Sequence, residues 1–227
     1  MAQRLSEEAI ELDPAYASAY RLLGITHLHD VFLGRSKSPK ESMANAIKYV
    51  KKAIEMDDSE AYGHSQLGML SVFIKQYDKA VSEGELAVNL NPNSADSHAY
   101  LGLTYRYVGR WEDAIEEYKK AVRLNPIPPT WYLYGFGLAY AMTGQYEEGI
   151  RVCKKAIQQA PNSPYPHLHM TMIYGLAGLE EEARAQAEEL LRINPKFSLE
   201  HWKKRLTYKN QSDKEQIINA LLKAGLK

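Results

Sequence analysis

The chain has 227 residues, 45% of them hydrophobic and 25% charged, a balance that belongs to folded proteins rather than to disordered ones. Lys and Arg number 28 and so do Asp and Glu, so no global charge draws the chain to nucleic acid or to a membrane surface. The single cysteine, Cys153, excludes an internal disulfide and fits a reducing compartment, and no apolar run approaches the ~18 residues a membrane span needs. Met1 runs directly into Arg4, Glu7 and Glu8 rather than into a basic-then-apolar leader, and a cytoplasmic protein is expected.

In chain order, residues 1–14 (with LSEEAIELDP from Leu5 to Pro14) read as the second helix of a hairpin whose first helix is missing. The chain is expected either to start inside a repeat or to open on a lone capping helix. Residues 15–58 form the next unit, opened by Tyr20, Leu23 and Gly24 and closed by Ala46, Ala53 and Asp58. Pro14 to Asp58 spans 44 residues against 34 from Asp58 to Pro92, and the excess, between Val31 and Glu41, is expected to extend the hairpin by a longer helix and loop.

Three further units, 59–92, 93–126 and 127–161, follow, and a fourth covers 162–195; each ends on an X-Pro pair, at Pro92, Pro126, Pro161 and Pro195. A fixed period of this length marks stacked supersecondary units. The clearest unit runs from Ala95 to Pro126. Leu101, Tyr105 and Val108 recur at helical spacing, Gly109 stops the first helix, and Trp111 begins a second whose buried stripe is Ala114, Tyr118, Ala121 and Leu124. Pro126 cannot continue that helix and turns the chain into the next hairpin. After Pro195 the period ends, and 196–227 reads as capping helices, with Ser212 as an N-cap and Gly225 as a stop.

The string Leu101, Gly102, Tyr105, Ala114, Tyr118, Ala121, Pro126 resembles the tetratricopeptide-repeat (TPR) consensus. Neighbouring units match it in register through Leu67, Gly68, Ala80, Ala87 and Pro92, through Gly137, Tyr140, Ala156 and Pro161, and through Tyr174, Ala183 and Pro195. The resemblance implies an all-α, right-handed superhelical solenoid of antiparallel helix hairpins. The long second unit and the ending FSLEHWKKRL…KAGL also resemble the C-terminal repeat regions of bacterial adenylate/guanylate cyclase-domain proteins and of some bacterial transcriptional regulators.

In the TPR family the first helices line the concave face. Carried over, that face takes Tyr62, Met69 and Phe73 from one unit and Leu103, Arg106 and Tyr107 from the next. Trp131, Tyr134, Leu138 and Met142 follow, then Tyr165, Leu168 and Met172. Met and aromatic side chains there suit an amphipathic helix or an extended apolar peptide, with Trp131 and Tyr134 as anchors. The groove is either open or filled by the chain's own tail or by a second copy. The family's carboxylate clamp is not reproduced, since Ile25, Met69, Leu103, Leu138 and Met172 stand where its Asn would be.

No catalytic, cofactor or metal role is expected. No phosphate-binding loop, acyl-transfer elbow or zinc-protease string occurs. His64, His98 and His167 recur at one repeat position and are expected to pack between hairpins; Cys153 falls on a buried stripe. Lys203, Lys204 and Arg205 beside Trp202 are expected to form a solvated face docking on an acidic body rather than to contact nucleic acid. The expected function is a non-enzymatic scaffold for a protein or peptide partner. Homo-oligomerisation, and a regulatory arm for an upstream domain, are the alternatives.

Overall fold

In the computed structural model, which describes residues 1–32 and 34–227, thirteen α-helices and no strand form among those residues. Leu33, inside the stretch expected to extend the second unit, lies outside the described residues. The chain divides into two compact units, Met1–Leu101 and Gly102–Lys227.

The first unit contains α1 (Ala2–Leu12), α2 (Ala17–Phe32), α3 (Pro39–Met56), α4 (Ala61–Phe73), α5 (Tyr77–Leu90) and the start of α6 (Ala95–Val108). Helices α2 and α3, and α4 and α5, pair as antiparallel hairpins. The sequence permits this because one glycine in each first helix meets the small-residue stripe of the second. A methyl on Gly24 would stand 2.8 Å from the Ala46 carbonyl oxygen, and one on Gly68 3.0 Å from that of Ala80. Ala46, Val50 and Ala53 of α3, and Ala80 and Ala87 of α5, are accordingly buried.

The second unit holds the rest of α6, then α7 (Trp111–Leu124), α8 (Thr130–Met142), α9 (Tyr146–Gln159), α10 (Pro164–Leu176), α11 (Glu180–Ile193), the short α12 (Leu199–Lys203) and α13 (Gln211–Lys223). The same device recurs. Gly102 lies against Tyr118 and the Ala114 carbonyl, and a methyl on Gly137 would stand 2.8 Å from the Gly149 carbonyl oxygen. Second helices α7 and α9 bury Ala114, Tyr118, Ala121, Val152, Cys153 and Ala156 and keep Glu112, Asp113, Glu147 and Glu148 in their first turns, where the helix dipole favours acid. Ser212 is not the N-cap of α13; Asn210 occupies that position and the helix begins one residue before the serine.

The corners after α1, α3, α5 and α7 use one construction. Asp13, Asp57, Asn91 and Asn125 end second helices in an extended conformation, and their side-chain oxygens accept from the backbone N–H two residues on, at 2.9–3.2 Å. The recurring histidines bind the corners that precede their own helices. Nε2 of His64, His98 and His167 meets the carbonyl of Asp58, Pro92 and Pro161, each six residues back, at 2.9–3.0 Å. Nδ1 of His64 meets Glu83, and that of His167 meets Gln186, both on the second helix of the same hairpin. Their role is hydrogen bonding as much as packing, because a buried imidazole needs a partner at each nitrogen.

Candidate functional site

The residues expected to line the groove divide between the two units. In the first, Met69 is buried, while Tyr62 and Phe73 are half-buried. The Tyr62 ring meets Tyr100 edge-on at 5.9 Å and carries the Arg21 guanidinium 4.6 Å above it; Arg21 is paired with Glu60 at 3.1 Å. That face is therefore aromatic with an already satisfied charge.

In the second unit, Leu138, Leu168 and Met172 are at most 3% exposed, and so belong to the core. Leu103, Tyr107, Trp131, Tyr134 and Met142 are half-buried, and Tyr165 is 41% exposed. Tyr134 is sandwiched: its ring lies 4.2 Å from that of His169 and 6.4 Å from that of Tyr165. Trp131 stands edge-on to Tyr132 at 4.5 Å, which ties it to its own helix.

Arg106, the groove's main expected charge, is 5% exposed. No carboxylate pairs with it among the described residues. Burial alone would weaken its charge, but the hydroxyls of Tyr118, Tyr208 and Tyr107 around it more than offset this, so it stays a guanidinium. Gly135 makes the room: a methyl there would fall 2.7 Å from both Arg106 Nη1 and the Tyr118 hydroxyl. Neither Arg106 Nε nor that hydroxyl has an aligned hydrogen-bond partner. His169, hydrogen-bonded through Nδ1 to the Tyr165 carbonyl at 2.9 Å, is driven down to about 3 by burial and then by Arg106, so it is neutral and adds no second cation.

Sequence reasoning missed the residues that close this cluster, because they lie in the non-periodic tail. The link between α12 and α13 runs over the end of α6. Lys209 N–H donates to the Tyr107 carbonyl at 2.8 Å, and the Tyr208 ring stacks on Tyr107 at 4.8 Å and leans on Trp111 at 5.8 Å. Trp111 Nε1 donates to buried Asp213 at 2.9 Å. Helix α13 then packs on α10, where Gly175 approaches the Ala220 backbone, and the stripe Leu168, Met172, Gly175 shares that face by its helical spacing. The basic run is partly neutralised within its own helix: Lys203 and Lys204 both pair with Glu200.

Burial pushes the Cys153 thiol upward, which makes it a packed thiol and no nucleophile. No group of three or more His, Cys, Asp or Glu converges as a metal site, and no helix is long and apolar enough to cross a membrane, among the described residues.

The architecture is that of a TPR solenoid, and residues 99–164 match the family model for the tetratricopeptide repeat. Among solved structures, the chain is similar to YrrB, described as a TPR protein with an unusual peptide-binding site (21% identity over 84% of this chain and 93% of that one, TM-score 0.53). It is also similar to TTC0263, a thermophilic TPR protein of Thermus thermophilus (20% identity, 91% and 99% covered, TM-score 0.66). A chain of the APC/C hetero-tetramer Cut9–Hcn1 aligns with 96% of this chain over 39% of its own length, at 15% identity and TM-score 0.71. At these identities the likeness is one of fold. No curated protein matches the sequence.

Proposed function

We propose that this chain is a non-enzymatic scaffold that binds a segment of a partner protein along its first helices. The observation that carries the reading is the partly exposed aromatic row Tyr107, Trp131, Tyr134 and Tyr165 in the second unit. Rigid aromatic surface supplies contact area at low entropic cost, which is why such residues dominate binding energy in interfaces. The peptide-binding description of YrrB, which shares the fold, agrees with it. Within this reading the repeat units run 15–58, 59–92, 93–126, 127–161 and 162–195, and the protein works in the cytoplasm. In the first unit Tyr62, Met69 and Phe73 form a candidate face of their own.

The test is absolute mass by light scattering across a concentration range, for wild type and Trp131→Glu together, followed by capture with both as bait. A monomer in both forms, with captured partners lost from the folded variant, is the expected result. A wild-type dimer that becomes a folded monomer in the variant would make the row a self-association surface instead. Retention of every partner by Trp131→Glu would remove Trp131 from the site. The resemblance to repeat regions of cyclase-domain and regulator proteins adds a further role as the regulatory arm of a larger protein, read as a change in that protein's activity on deleting the repeats.

A further inference from the structure

Arg106 presents an electrostatic problem. It is a permanent cation, 5% exposed, with no carboxylate partner among the described residues, an unbonded Nε and an unbonded Tyr118 hydroxyl beside it. A buried charge is normally paired, because desolvation costs it several kcal/mol. The groups facing it are the phenols of Tyr107, Tyr118, Tyr134 and Tyr208 and the imidazole of His169, the last held neutral by its surroundings. Four of these come from helices of the hairpin stack. The fifth, Tyr208, comes from the extended link of the tail.

That link lies as a bound peptide would. One backbone N–H, from Lys209, donates to the end of α6; one side chain, Tyr208, stacks on Tyr107 and Trp111 and reaches the guanidinium; and Asp213 takes the Trp111 indole N–H. Helix α13 also buries Ile217, Ala220 and Leu221 beyond the link, so the link can lift while most of the helix stays in place. Tyr208 is presented from the middle of an extended stretch with chain continuing on both sides, so a segment following the same path offers Arg106 a side chain rather than a terminus.

We propose that residues 206–210 are a built-in occupant of an acid-reading subsite, and that the protein segment that replaces them carries Asp or Glu at the place of Tyr208. The proposal rests on the scaffold reading above and deepens it. A carboxylate would supply the partner that Arg106 lacks and would accept from its unpaired Nε–H, a charge-assisted pair stronger than the phenol can make. The tail holds the subsite shut until such a segment competes for it, which lowers apparent affinity by the closed fraction.

The experiment uses the whole chain and two capped, fluorescein-labelled peptides, one copying residues 205–214 and the other the same with Tyr208→Glu. Binding is read by anisotropy to wild type, to Tyr208→Ala and to Tyr208→Ala/Arg106→Gln. Tyr208→Ala should bind both peptides at least about tenfold more tightly than wild type, and the glutamate peptide about tenfold more tightly than the tyrosine one; Arg106→Gln should erase that preference. Equal affinity for the two peptides, or a preference that survives Arg106→Gln, overturns the acid-reading subsite. Absence of binding to Tyr208→Ala overturns the tail's role as occupant. Hydrogen exchange on intact wild type keeps the proposal exposed should the variants unfold. The Lys209 amide should exchange at least about 100-fold faster than buried α8 amides, through local opening. Exchange only with global unfolding would make the link a permanent cap and sink the idea. Failure of either kind leaves the Trp131→Glu test of the scaffold untouched, since that test reads partner capture and not the tail.

Discussion

Lys75 occupies a place that the other hairpins give to glycine. Gly109, Gly144 and Gly178 end first helices with φ between 76° and 82°, and Lys75, 34 residues before Gly109, adopts φ 61° at the same position. A side chain in that region costs roughly 1–2 kcal/mol, of which glycine's greater freedom in the unfolded chain returns about 0.5–1. Lys75→Gly is therefore expected to raise stability by about 0.5–1 kcal/mol, as read by urea unfolding; a loss would show that this strain is relieved elsewhere. Arg106 makes the opposite case. Its neighbours in sequence identify it as a groove residue, yet its burial and its ring of tyrosines depend on Gly135 and Tyr208, 29 and 102 positions away. No local pattern encodes that.

At the scale of elements, helix existence follows from periodicity and punctuation. Small residues at Gly68, Ala80, Gly102 and Ala114 record where helices cross, and the Asx corners record where hairpins meet. The tail is different, because α12 and α13 have no repeat partner to copy. Asp213 gives α13 an acidic first turn and also reaches Trp111. Trp111→Phe keeps an aromatic ring and removes that donor, leaving the buried carboxylate oxygen only the longer Asn210 amide contact at 3.4 Å. A loss of about 1–3 kcal/mol is expected in chemical denaturation, with faster exchange of α13 amides. Unchanged α13 protection would show that the helix is held by Ile217 and Leu221 alone.

For the whole molecule, a solenoid's stability is close to a sum over units and their nearest-neighbour interfaces. Deleting residues 196–227 uncovers the α10 stripe of Leu168, Met172 and Gly175. Exchange in α10 and α11 should then rise by at least about tenfold while α4 and α5 keep their protection, since the effect decays along the stack. Loss of protection in α4 and α5 to the same degree would mean one cooperative fold rather than a chain of units.

Sequence alone determined the all-helical repeat, the hairpin order and the identity of the first helices, because stacked repeats bury their faces through contacts that recur at a fixed spacing. Tyr134 and Leu138 of α8 and Met172 of α10 were expected at matching positions of first helices for that reason. Only the tertiary structure decided which of them stay exposed. Leu138 and Met172 sink into the core, Tyr208 of the non-periodic tail reaches Arg106, and α13 packs on α10 at Gly175. Those contacts join residues about 50 to 100 positions apart, and their formation depends on packing geometry that no local spacing records.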